Sequence, residues 1–166
     1  MVDKQSHWYA VYLRSRCEQK TNAELMKKGF ESFLPLIKVT RIWSDRKKKI
    51  TEPLFHGYLF VNTNLTNKIE ILRTKGVVRL VGIGEKPSPI PEDQINWIRI
   101  LVNHPAIIRR ETFLTVGKKV RVIAGPFIGL EGFILKLKDM IRVVVSIDFI
   151  KQSVSVEIPI EMLQEK

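Results

Sequence analysis

The sequence predicts an α+β chain in two parts: an antiparallel sheet covered by helices, in the order β-α-β-β-α-β plus one extra helix, and then a small β-barrel. Three observations carry this expectation. Apolar runs of strand length alternate with two segments of helical spacing as far as Val81. Pro87, Pro89 and Pro91 then stiffen a bridge. From Gly117 onward the pattern changes to apolar-polar alternation punctuated by glycine.

The first strand is Trp8 to Leu13, an apolar and aromatic run that ends at Arg14 and Arg16. Glu18 to Lys28 reads as a helix, with an acid in its first turn, Lys27 and Lys28 in its last, and Gly29 as the stop; both ends suit the helix dipole. A β-rich run from Phe33 to Trp43 and a second from Ile50 to Val61 are expected to form a hairpin whose tip is the polar segment SDRKKK. Asn64 can cap a short helix carrying Leu65, Ile69 and Leu72, Gly76 breaks it, and Val77 to Val81 forms another strand. This β-α-β-β-α-β order is the ferredoxin-like pattern. The extra helix starts at Pro91, Glu92 and Asp93, aligns Ile95, Ile98, Leu101 and Val102 on one face, and ends at His104 and Pro105.

Residues 1–104 are expected to form the first domain, 105–116 a linker with the boundary near residue 110, and 117–166 the barrel. Ile107, Ile108, Phe113 and Leu114 suggest that part of the linker packs. In GKKVRVIAGPFIGLEGFI (117–134), Gly125 can take positive φ at a bend, Pro126 pre-sets the next position, and Gly129 and Gly132 permit close backbone approach. Ile141, Val143, Val145 and Ile147 alternate with polar neighbours, as do Val154, Val156 and Ile158, and four or five such strands close most easily as a barrel.

Composition narrows the partners. The chain carries 28 Lys and Arg against 17 Asp and Glu, a net charge of +11 over 166 residues, and residues 1–104 supply +8 of it. A polyanion is the expected neighbour. A single cysteine, Cys17, allows no intrachain disulfide and reads as a small apolar residue. No signal-peptide layout and no apolar run of membrane-spanning length occurs, so cytoplasmic residence without membrane contact is expected. No catalytic motif and no metal-ligand spacing among His7, His56, His104 and Cys17 is present; the expectation is a protein that is not an enzyme and uses no metal or cofactor.

The 117–134 segment resembles the KOW motif of certain ribosomal proteins and of NusG-type transcription elongation factors. WYAVYLRSRCEQK (8–20), EPLFHGYLFVN (52–62) and KGVVRLVG (75–82) are together similar to the NusG N-terminal (NGN) domain, so the resemblance covers nearly the whole chain. It implies an NGN domain followed by an SH3-like KOW barrel. IWSDRKK (42–48) and GEKPSPIP (84–91) look more like the operon-dedicated paralogues of the RfaH and UpxY kind than like the housekeeping factor. The family commonly has proline where this chain has His56.

What the resemblance implies is a factor that binds RNA polymerase at the clamp helices of its largest subunit and suppresses pausing and termination, as a dedicated antiterminator of a long operon. Housekeeping NusG is the alternative, and a ribosome- or RNA-binding KOW protein a further one. The polymerase-binding patch would comprise Phe55, Tyr58 and Phe60 with Trp8, Leu80 and Val81, unless these residues serve only the domain's own core. Non-template DNA in the transcription bubble would meet Arg14, Lys20 and Lys75, and Arg46, Lys47, Lys48 and Lys49 at the hairpin tip, which otherwise read as solvated turns. Phe127, Ile128 and Leu130 would receive a barrel partner, a small-subunit ribosomal protein or the termination factor Rho, or else plug the barrel end. A monomer is expected. One relative refolds its barrel as a helical hairpin, which the β-branched residues from Val143 to Val156 disfavour here.

Overall fold

The computed structural model describes residues 5–104, 108–111, 117–137, 140–147 and 150–166. In chain order the elements are β1 (His7–Leu13), α1 (Glu18–Lys27), β2 (Glu31–Phe33), β3 (Leu36–Ile42), β4 (Lys47–Pro53), β5 (Tyr58–Thr63), a short 3-10 turn leading into α2 (Lys68–Leu72), β6 (Val77–Leu80), β7 (Gly82–Ile83) and β8 (Lys86–Pro87). Then come α3 (Glu92–Val102), β9 (Ile108–Glu111), β10 (Lys119–Val122), β11 (Glu131–Leu137), β12 (Met140–Ile147), β13 (Gln152–Glu157) and β14 (Leu163–Glu165). The chain divides into two compact units, Met1–Ile37 with Thr51–Ile95, and Lys38–Ile50 with Asn96–Lys166. Among the described residues no helix is long and apolar enough to cross a membrane.

The first unit is built on a four-stranded sheet of order β2-β5-β1-β6, in which β1 pairs antiparallel with both β5 and β6. Successive side chains along a strand point to opposite faces. Tyr9, Val11 and Leu13 of β1, Leu59 and Val61 of β5 and Leu80 of β6 therefore share one face, where they cluster with Leu25 of α1 and Ile71 of α2. Each such side chain taken fully out of water stabilises the fold by about 1.5–3 kcal/mol relative to leaving it exposed.

Helix α1 ends as its sequence predicts. Gly29 adopts φ +86°, its N–H bonds to Met26 O, and Phe30 N–H returns to Leu25 O at 3.1 Å. This Schellman closure satisfies the last carbonyls, and Phe30 packs against the same cluster as Leu25. Asn64 Oδ1 accepts the Thr66 N–H at 3.0 Å and so caps the 3-10 turn that leads into α2, while Asn67, at the N-cap of α2 itself, makes no side-chain cap bond. The buried side chain is Ile71, however, while Ile69 and Leu72 are exposed. The first turn is a 3-10 turn with fewer residues per turn, which shifts the phase of the helical face.

The two long strands expected over Phe33–Trp43 and Ile50–Val61 are each split. Only β2 and β5 join the main sheet, while β3 and β4 pair with each other as a separate ribbon. Pro35 lies at the first break, where its carbonyl accepts the Leu54 N–H at 2.8 Å. The second break is the turn 54–57. Without proline at position 56, this turn is held from outside: the buried Glu18 carboxylate accepts the Gly57 N–H at 2.9 Å, and Gly57 O accepts the Leu13 N–H at 2.8 Å.

In the second unit a six-stranded antiparallel sheet runs β14-β10-β11-β12-β13-β9. Val120, Val122, Leu130, Val143, Val154 and Val156 are buried in its core. A Cβ on Gly132 would lie 2.3 Å from Val144 O, so the close β11–β12 approach requires glycine there. Two expectations are corrected. Ile108–Glu111, assigned to the linker, forms β9 and pairs with β13, Ile108 opposite Val156, so backbone pairing at an available sheet edge outweighs linker composition. Ile107, Phe113 and Leu114 lie outside the described residues. Arg142, expected to alternate outward, is buried; its Nε donates to Ser155 Oγ at 2.8 Å and a second guanidinium nitrogen to Ser155 O at 3.1 Å, with Glu157 3.6 Å away.

Charge ties the residue that follows β14 to β10 and β11. Lys166 Nζ donates to both Glu131 carboxylate oxygens at 2.7 and 2.8 Å, and Arg121 Nε donates to Oε1 at 2.8 Å. Those hydrogen bonds, Lys166 first, hold the Glu131 carboxyl at about 2 against an ordinary 4.5. A depressed carboxyl contributes stability above its unfolded value that is lost as pH falls through the folded one. Glu131→Gln should therefore flatten the acid-side loss of melting temperature between pH 4.5 and about 2 relative to the parent chain, as read by thermal denaturation at stepped pH. In the first unit, Glu18→Ala removes a buried acceptor from Gly57 and should cost about 1–3 kcal/mol in urea unfolding; an unchanged midpoint would show that the turn holds without it.

Candidate binding surfaces

The sheet face opposite the α1–α2 cluster is aromatic. The β1–β5 register sets Ala10 opposite Phe60 and Tyr12 opposite Tyr58, and β2 adds Phe33 opposite Phe60. Trp8 stands edge-on to Phe33 at 6.5 Å, Phe33 to Phe60 is 6.2 Å, and Phe55 meets Phe60 edge-on at 6.1 Å. These rings fill one another's gaps in preferred geometries. Phe60 is 0% exposed, and Trp8 and Phe55 are also buried.

The polymerase patch expected from the sequence is thus corrected in its exposure. Of Phe55, Tyr58, Phe60, Trp8, Leu80 and Val81, all but Tyr58 are buried, and Leu80 belongs to the helix-covered face. Alternation along β5 puts Tyr58 and Phe60 on a common face, but carries no information on ring-ring packing across strands.

Tyr58 has a partner that the sequence reading left out. The Tyr12 ring, 37% exposed, lies 5.3 Å from it, and the Arg79 guanidinium sits 5.7 Å over Tyr12. Partial burial raises the Tyr58 phenol above its ordinary value, Tyr12 adds to the rise, and Arg79 opposes it. Beside the pair is an open concavity of about 590 Å³, lined by Tyr12, Arg16, Glu18, Pro53, His56 and Gly57 among others. Tyr12 was findable: it shares the parity of Trp8 and Ala10 and stands next to the exposed loop Arg14–Arg16. Arg79 carries no comparable local signal, since only the β1–β6 register sets it opposite Tyr12.

The first group of basic residues is brought together. Thr21 Oγ1 donates to Lys75 O at 2.9 Å, and the Arg14 N–H donates to Gly76 O at 2.8 Å. These bonds tie the β1–α1 loop and the first turn of α1, which carries Lys20, to the loop before β6. Gly76 has φ +93°, and a Cβ there would lie 2.2 Å from Thr21 Oγ1. Arg14, Lys20 and Lys75 are exposed along this edge. Arg46, Lys47, Lys48 and Lys49 are exposed at the β3–β4 tip, where the Trp43 N–H closes the turn on Arg46 O at 2.8 Å.

In the second unit the expected partner loop is also corrected. Phe127 and Leu130 are buried, and of the three residues only Ile128 faces outward, 61% exposed. The Leu130 N–H bonds to Phe127 O at 3.0 Å, folding the loop back on itself. Ile123 and Ile160 are exposed, and the Ile123 N–H donates to Met162 O at 2.8 Å, which ties the two loops.

Comparison with known proteins identifies the group to which these features belong. A family model described as "Transcription termination factor nusG" matches residues 6–99. The transcription termination/antitermination protein NusG of Staphylococcus carnosus is 26% identical over 176 residues, covering 95% of this chain and 94% of its own. That of Campylobacter jejuni is 32% identical over 148 residues, covering 81% and 82%. A solved structure of Thermotoga maritima NusG, 21% identical, superposes with a TM-score of 0.59 over 97% of both chains and shows a common fold. With the match spanning the whole helix-covered sheet, its aromatic face and its basic edge, the chain belongs to the NusG family of transcription termination and antitermination factors.

Proposed function

We propose that this chain is a NusG-type transcription elongation factor that docks on RNA polymerase through the Tyr12–Tyr58 corner and alters pausing and termination. The observation that carries the reading is the Tyr12–Tyr58 pair, ring centroids 5.3 Å apart, left accessible beside an open concavity on an otherwise sealed aromatic face. Aromatic anchors in a desolvated groove each contribute on the order of 2 kcal/mol or more to an interface. The clamp helices of the largest polymerase subunit are the partner the family resemblance supplies, and a helix laid into an apolar groove is a general mode of such recognition.

The edge carrying Arg14, Lys20 and Lys75 is assigned to the phosphates of the exposed non-template strand. Cationic side chains there supply affinity and rate, not base recognition. Ile128, with Ile123 and Ile160, is the surface through which the barrel would meet a ribosomal protein or another partner. No catalytic step is assigned to the chain.

Two readings of scope follow from different observations. The relatives in Staphylococcus carnosus, Thermus thermophilus and Campylobacter jejuni all carry the general NusG name, which favours a housekeeping role. The exposed IWSDRKK hairpin favours an operon-dedicated antiterminator. Deletion followed by transcript mapping separates them: a change at one long operon supports the dedicated role, and a genome-wide change the housekeeping one.

Purified polymerase transcribing a long template with terminators tests the function itself. Unaltered pausing and readthrough across several leader sequences would remove the elongation role. Tyr58→Ala should weaken polymerase binding by roughly 30-fold with little change in unfolding free energy; equal binding takes Tyr58 out of the interface. Lys75→Gln should lower the salt dependence of single-strand binding by about 0.7 log units per log unit of salt, and an unchanged slope would mean that Lys75 faces no phosphate.

A further inference from the structure

The β3–β4 ribbon carries an aromatic ring that the packing does not use. Every residue from Thr40 to Lys49 is exposed, and at the turn Trp43 is 48% exposed with Ile42 beside it at 76%. An indole is costly to leave in water, and tryptophans elsewhere in the chain are treated differently: Trp8 is buried and Trp97 half-buried. The ring is flanked by cations. Lys48 Nζ lies 5.4 Å and the Arg46 guanidinium 5.9 Å from its centroid, both near the outer limit of cation–π attraction. Across residues 38–50 the charges are Lys38, Arg41, Arg46, Lys47, Lys48 and Lys49 against Asp45 alone.

We infer that the Trp43 indole is a stacking platform for a base of an unpaired nucleic-acid strand, with Arg46, Lys47 and Lys48 on the flanking phosphates. The chemistry selects this occupant. The cationic surroundings repel a basic partner and favour a polyanion. An acidic protein could satisfy the charge, but its carboxylates and rings sit on separate residues, whereas every nucleotide joins a phosphate to a flat base in one repeating unit. A closed duplex offers phosphates but no free base face, whereas a single strand offers both, and base–aromatic stacking beside a cationic track is how strands are bound without sequence readout. The loosely held cations can move from the ring to phosphate as the base arrives, and Arg46 can also stack on the base. This inference deepens the DNA-contacting part of the proposed function and rests on it, but needs no polymerase to be tested.

The full chain is titrated with a labelled oligothymidylate strand and with a blunt duplex of the same length at each of several salt concentrations. The single strand should bind more tightly and quench tryptophan fluorescence. Trp43→Ala should lose roughly 5- to 100-fold in single-strand affinity, with the salt slope unchanged and duplex binding little affected. Trp43→Phe should keep most of the affinity and lose the quench. Because residue 43 is exposed on a turn, both variants should keep the parent's circular dichroism. Undiminished single-strand binding by Trp43→Ala, a loss in Trp43→Phe as large as in Trp43→Ala, or no strand binding by the parent would each overturn the inference. Polymerase affinity of Trp43→Ala is read in parallel. If stacking fails while Tyr58→Ala still weakens polymerase binding, the stacking platform alone is lost and the elongation reading stands.

Discussion

The pairing of β1 with β5 is the constraint on which the first unit depends. Its register, running from His7 opposite Thr63 to Tyr12 opposite Tyr58, assigns every side chain of two central strands to one face or the other. A slip of one residue would exchange the aliphatic set that α1 and α2 cover for the aromatic set on the reverse. The same register stacks the two tyrosines at the end of the ladder. Fold and candidate site thus share one cause, and the two tyrosines cannot be moved without disturbing the strand pairing that makes the sheet.

Positioning of the site's periphery relies on polar tethers. Glu18 holds the 54–57 turn by its Gly57 N–H, and Thr21 holds the loop before β6 by Lys75 O. Both come from the first turn of α1. One helix end therefore sets the turn beneath Tyr58 and the edge bearing Arg14 and Lys75. His56 itself is exposed, and the turn is held through Gly57 by Glu18 and Leu13, so the position tolerates a residue other than proline.

Much of this was legible in the amino-acid order because it is written in local spacing. The α1 boundaries followed from Glu18, Lys27 and Gly29, the Asn64 cap from its side chain, and the glycine-bearing strands of the second unit from alternation. What was not legible depends on long-range partners. Strand propensity from Phe33 to Trp43 is nearly continuous, so the split between β2 and β3 is visible only once Pro35 O is seen holding Leu54. Phe55, Phe60 and Trp8 read equally well as surface anchors or core, and the structure buries all three in a chain of four rings completed by Phe33. Arg142 alternates like an outward residue, yet Ser155, two strands' worth of chain away, gives its guanidinium a buried home. Phe127 and Leu130 likewise turn inward because their loop closes on its own backbone.

The β3–β4 ribbon has just two strands, so each presents one row of backbone donors and acceptors to no neighbour within its sheet. Bare strand edges invite a second molecule to add on, and lysine along such an edge is a recognised deterrent. Lys47, Lys48 and Lys49 therefore have an effect independent of any ligand: they oppose self-association through the ribbon, so that neutralising them to study their charge would also loosen the chain's guard against clumping.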